Sequence, residues 1–177
     1  METYFSFRMK SNSHSVIELK TIDKRGYAFI EPYLFPSSKQ KLPEEVMFTV
    51  VKGNRCTDII VYNESVSINF YSQKLIDVLG QFVDVSKICY PIRINNCAST
   101  YYVIYNLEEL VFLNQSDFLN NPLFLIKDKT PLIFTLDRSN FKICSLIIKE
   151  AFVKEKLSNV YFRDVYGLAP KEYYDRR

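Results

Sequence analysis

Residues able to do chemistry are few in this 177-residue chain and poorly arranged for it. The single histidine, His14, lies in the polar run Lys10-Ser11-Asn12-Ser13-His14-Ser15, and any serine or cysteine nucleophile relying on an imidazole base would have to use it. In such a loop it reads as solvated. The cysteines Cys56, Cys89, Cys97 and Cys144 are widely spaced with no C-x-x-C pair, so with one histidine they fall short of a zinc-ligand set. They read as reduced, mostly buried thiols. Carboxylate pairs of the kind used in glycoside hydrolysis occur as Glu44-Glu45 and Glu108-Glu109. Neighbours on a strand point to opposite faces, so both pairs read as surface charge. No G-x-x-x-x-G-K-S/T or G-x-G-x-x-G run is present to cradle phosphate. The sequence thus points to no catalytic, cofactor-binding or metal-ligating residue.

Composition narrows the remaining classes. A hydrophobic fraction of 47% and a charged fraction of 24% are globular values, and the length suits about one domain. Thirteen Tyr and 14 Phe against 4 Gly favour pleated sheets. The net charge of +3 is spread along the chain without a basic stripe, which argues against a dedicated nucleic-acid surface. A nucleic-acid-binding module is still the second reading, because tyrosines such as Tyr101 and Tyr102 beside scattered lysines can stack on single-stranded bases. No secretory signal is visible and no run reaches the roughly 18 apolar residues of a membrane span, so a soluble, cytoplasmic protein is expected.

Alternating patterns predict strands over 3–9 and 16–22, read as a hairpin across the polar run between them. Pro32 and Pro36 bracket Tyr33-Leu34-Phe35, so 27–36 reads as an ordered loop. Strands follow over 46–51 and 58–62 around a turn at Lys52-Gly53-Asn54-Arg55. One unit then occurs twice. A strand ends in a serine, the serine caps and opens an amphipathic helix, and another strand follows. The first copy runs through Ser72, 73–82 and 88–94; the second runs through Ser145, 146–156 and 160–165. Counting from each serine, apolar residues fall at plus three and plus seven: Leu75 and Leu79, then Ile148 and Phe152. Pro91 places its strand at an edge or a bulge. Thr100 to Tyr105 is strongly β and pairs with it. Leu110 to Leu113 reads as a short strand, and the runs 123–126, 132–136 and 141–144 read as a β-meander. Gly167 and Pro170 are expected to stop regular structure. The fold class expected is α+β, with mostly antiparallel sheets, two amphipathic helices packed on them, and the strand-helix-strand unit used twice. Residues 1–64 form a β-rich N-terminal part and 65–177 an α+β part, together one compact unit.

From about Val66 to Val165, the chain resembles the immunity proteins found beside bacterial polymorphic toxins, in the branch first catalogued as a domain of unknown function in predatory soil bacteria. The resemblance is carried by Tyr71-Ser72-Gln73-Lys74-Leu75-Ile76-Asp77-Val78-Leu79, then Tyr90-Pro91-Ile92-Arg93-Ile94 and Tyr101-Tyr102-Val103-Ile104-Tyr105-Asn106. It closes with Leu123-Phe124-Leu125, Ser145 to Ala151, and Val160-Tyr161-Phe162. The family usually shows a glycine before its last strand, where this chain has Ser158-Asn159; asparagine tolerates the left-handed conformation such a turn needs. What the resemblance implies is a non-enzymatic protein that binds a cognate toxin domain and blocks it. The acidic segment containing Glu108, Glu109 and Asp117 is the expected partner-binding surface, because it interrupts otherwise regular structure.

Overall fold

Apolar side chains recur at alternate positions along several short runs, and both faces of those strands are used. The computed structural model describes residues 2–10, 13–114 and 122–174. In chain order its elements begin β1 (Glu2–Met9), β2 (Glu18–Thr21), α1 (Tyr27–Leu34), β3 (Met47–Lys52), β4 (Ile59–Tyr62), β5 (Ser65–Ser72) and α2 (Gln73–Leu79). Next are β6 (Cys89–Pro91), β7 (Arg93–Asn95), β8 (Tyr101–Ile104), β9 (Glu109–Leu110), β10 (Leu123–Leu125) and β11 (Ile133–Leu136). Last are β12 (Lys142–Cys144), α3 (Leu146–Lys154), β13 (Val160–Leu168) and α4 (Pro170–Tyr174). The fold is mixed α/β, dominated by sheet, with mostly antiparallel pairings.

Both sheets close on themselves. The first runs β6-β8-β5-β4-β2-β3-β7, and its two end strands are consecutive in the chain with only Ile92 between them. Residues 89–91 pair with β8 and residues 93–95 pair with β3, so this stretch joins the edges into a barrel. Pro91 sits where the chain changes partner. The second sheet runs β10-β13-β1-β12-β11-β9 and is joined by a bridge between Phe112 and Phe124. Backbone bonds from Leu113 N–H to the Leu123 carbonyl and from Leu125 N–H to the Val111 carbonyl flank that bridge. Closure removes the open edges at which strands would otherwise pair with other chains.

The two barrels repeat one topology down to register. In barrel one β2 is parallel to β4 and β4 antiparallel to β5; in barrel two β9 is parallel to β11 and β11 antiparallel to β12. Leu19 faces Tyr62 as Leu110 faces Leu136, and Ile59 faces Tyr71 as Ile133 faces Cys144. Phe48 and Phe124, both fully buried, take the same place on the strands that close each barrel. Each strand-helix-strand unit is a parallel crossover with one antiparallel strand inserted between its strands, namely β8 between β5 and β6, and β1 between β12 and β13. The last strand of barrel one follows it in the chain. Its counterpart in barrel two, β1, comes from the N-terminus.

That exchange is why the predicted hairpin does not form: β1 pairs with β12 and β13, whereas β2 lies in the other barrel. The predicted meander is also broken. β11 and β12 pair, but β10 lies beside β13 at the opposite end of the sheet. Residues 27–34 form helix α1 with Pro32 inside it, because Ile30 and Leu34 bury completely in barrel one and that packing outweighs the lost helix bond. Strand β13 runs on through Gly167 to Leu168, and Pro170 opens α4 instead of ending structure. A Cβ at Gly167 would lie 2.6 Å from the Ile126 side chain. The 64/65 boundary read from the sequence falls in the turn joining β4 to β5, which pair with each other.

Three apolar clusters follow from this plan. Phe48, Tyr62 and Phe70 meet edge to face inside barrel one, with ring centroids 5.2–6.4 Å apart. Tyr4 stands edge-on to Phe124 and Phe134 inside barrel two. Between the barrels α2 contributes Leu75, Ile76, Val78 and Leu79 and α3 contributes Ile148 and Phe152, packed on Phe5, Phe7, Ile59 and Tyr71. Each such side chain, fully buried, stabilises the fold by about 1.5–3 kcal/mol.

Candidate functional site

A polar hub ties the barrels together at the start of α2. The Ser72 hydroxyl accepts from Leu75 N–H at 3.1 Å, making the predicted N-cap, and donates to Asp58 Oδ1 at 2.5 Å. Asp58 Oδ2 accepts from the Ser158 amide at 2.6 Å and the Ser158 hydroxyl at 2.8 Å, in the turn before β13. Asn159 follows with φ +60°, so it takes the left-handed conformation in the place expected for glycine, and its amide donates to the Ile59 carbonyl. Ser145, at the matching place before α3, makes no side-chain cap, and its hydroxyl is buried without a partner. The second of the two predicted caps is therefore absent.

Between the barrels lies a cleft of about 520 Å³. Barrel one supplies Ser67, Asn69 and Tyr71 from β5; barrel two supplies Ser6, Phe7 and Arg8 from β1, and Phe112 with 138–142 from the turn into β12. Strand alternation puts Asn69 and Tyr71 on the outside of barrel one while Ile68 and Phe70 fill its interior. Register makes Asn69 and Lys142 counterparts, since Phe70 corresponds to Ile143. Asn69 Oδ1 accepts from Met9 N–H at 3.0 Å, and Asn140 Nδ2 donates to the Ser67 hydroxyl at 3.3 Å across the gap. Lys142 is only 4% exposed. Its Nζ lies 5.9 Å from the centre of the Tyr71 ring, and burial pulls its pKa down to about 8. Burial also pushes the Tyr71 phenol well above its ordinary range, and its hydroxyl has no hydrogen-bond partner. Arg8, Arg138 and Lys142 line the cleft, and among the described residues no carboxylate does.

The residues singled out from sequence are scattered. Glu108 pairs with Lys127 at 2.6 Å with both side chains about half exposed, and Glu109 lines a neighbouring hollow with Arg138, Ser139 and Asn140. Asp117 lies outside the described residues. His14 is exposed next to Ser13 and Ser15, whose hydroxyls bond each other. Tyr101 buries in barrel one and donates to the Thr57 carbonyl, whereas Tyr102 points outward and bonds Gln73. All four cysteines are free; burial pushes the Cys89 thiol up to about 12 and the Cys144 thiol higher. Tertiary structure also brings the exposed Cys56 near the half-buried Cys97, a meeting that no spacing in the sequence announces. Among the described residues no group of three or more His, Cys, Asp or Glu side chains could hold a metal ion, and no helix is long and apolar enough to cross a membrane.

No family model and no curated protein matches this chain. The cleft is the candidate that sequence reading missed. Its polar residues come from β1, β5 and the β11–β12 turn with the first residue of β12, segments about sixty or more positions apart that meet only when the second barrel closes. The one signal was Lys142, a lone lysine inside an otherwise apolar run, Phe141-Lys142-Ile143-Cys144.

Proposed function

We propose that this chain is an immunity-type protein that neutralises a cognate toxin domain in the cytoplasm by stoichiometric binding, without chemistry of its own. The resemblance over residues 66–165 motivates the reading, and one surface observation carries it. Helix α3 is anchored through Ile148 and Phe152, yet Leu146, Ile147 and Val153 on its outer side are 50%, 52% and 61% exposed. Leu146 and Ile147 are adjacent in the first turn, and Val153 lies two turns on along the Leu146 row with Glu150 between them and Lys149 and Lys154 to either side. Three large apolar side chains half or more exposed on one short helix, with charged residues among them, suit a surface that a protein partner covers. Glu108 and Glu109 are further candidate contacts, through the rim charge that guides partner choice.

The test is co-expression with the product of the adjacent gene. Protection of the host and co-purification at equal stoichiometry are expected, and Ile147→Glu combined with Val153→Glu should weaken the complex by about tenfold or more while leaving the circular dichroism unchanged. A gene neighbourhood without a toxin, together with no protection on co-expression, would overturn the reading.

A further inference from the structure

The cleft between the barrels combines features that do not serve the fold. The Lys142 side chain lies almost wholly out of water, and among the described residues no carboxylate stands in the walls to neutralise it. Arg138 and Arg8 add two more cations at its edge, and the Arg8 guanidinium lies over the Tyr161 ring, 5.3 Å from its centre. A buried lysine without a counter-charge costs stability. Its aromatic neighbour offers only partial compensation at 5.9 Å. Asn140 Oδ1 is buried without a hydrogen-bond partner, so the polar side chains of this wall are not satisfied by one another. Phe7, Tyr71, Phe112 and Phe141 supply an apolar lining next to the charge.

From this we infer that the cleft is a binding site for a small organic acid, whose carboxylate pairs with Lys142 and Arg138 and whose apolar body packs on the aromatic wall. The aromatic wall beside Lys142 favours an acid with an apolar body over a bare inorganic anion. A volume of about 520 Å³ falls within the roughly 300–1,000 Å³ of small-molecule sites and far exceeds what one acidic side chain of a protein partner would fill. The inference does not rest on the toxin-binding reading, because the exposed side of α3 contributes no residue to the cleft.

Calorimetric titration and thermal melting of the full chain test it with three probes: 3-phenylpropionate, its neutral alcohol 3-phenylpropanol, and inorganic phosphate. The carboxylate should bind and raise the melting temperature, and the other two should bind at least about tenfold more weakly, because the alcohol lacks the charge and phosphate lacks the apolar body. Lys142→Met should abolish carboxylate binding. Arg138→Ala, a change in an exposed turn, should weaken it by about tenfold, and Lys156→Met, at a position outside the cleft, should leave it unchanged. Equal binding of the alcohol, equal or tighter binding of phosphate, undiminished binding by the Lys142 and Arg138 variants, or no binding of the carboxylate would each overturn the inference. Should Lys142→Met fail to fold, the Arg138 variant decides.

Discussion

Ser72 and Ser145 stand at the same place in the two barrels, and their amides make the same bond: Ser72 N–H to the Asp58 carbonyl and Ser145 N–H to the Leu132 carbonyl, each at 2.9 Å. The backbones agree, but the side chains do not. Asp58 offers a carboxylate that holds the Ser72 hydroxyl and reaches the turn before β13, whereas Leu132 offers none and the Ser145 hydroxyl stays unpaired. A repeated backbone therefore does not repeat its energetics. One copy carries the polar ties that fasten the barrels together, and the other relies on the packing of Ile148 and Phe152.

The most severe way to break the comparison is to delete residues 1–9. Barrel one keeps all its strands, but barrel two loses the strand between β12 and β13, so proteolysis should digest residues 109–174 well before residues 16–105. Next comes Asp58→Ala, which leaves Ser72 and Ser158 without their acceptor in a mostly buried site. Urea denaturation should show a loss of about 3–5 kcal/mol, with Asp58→Asn recovering part of it.

Lys142→Met acts in the opposite sense. With the folded pKa near 8 and the ordinary value 10.5, the unfolded chain takes up the proton first as pH falls. Native stability should therefore decline from about pH 10.5 to 8 and stay low below that. The variant should remove this slope and gain on the order of 3 kcal/mol at pH 7. An unchanged slope would mean that the ammonium is solvated.

The smallest effects bear on the two serines directly. Ser72→Ala should cost about 1–2 kcal/mol, whereas Ser145→Ala should change stability by less than about 0.5 kcal/mol. Leu132→Asp should restore the missing acceptor, and a double-mutant cycle with Ser145→Ala should then return a coupling near 1 kcal/mol. A coupling of zero would show that register equivalence does not extend to side-chain reach.

Sequence by itself determined what depends on near neighbours. The periodic apolar positions of α2 and α3, the turn at Gly53 with φ +75°, and the left-handed Asn159 all follow from local sterics and amphipathicity. At Gly53 a Cβ would approach the Val16 carbonyl to 2.1 Å, so the residue type is required there twice over. Helix α1 escaped because its stability comes from the barrel that Ile30 and Leu34 enter, and local rules see only Pro32. Strand partners escaped for a related reason. A strand's pattern says which face is buried but not which strand lies beside it, so nothing near β1 announces that it pairs with β13, more than 150 residues away. Closure of the two barrels, the Asp58 hub and the cationic cleft were decided by tertiary structure alone. Each joins groups that are remote in the chain, and the free energy that holds them together exists only once the strands that carry them have paired.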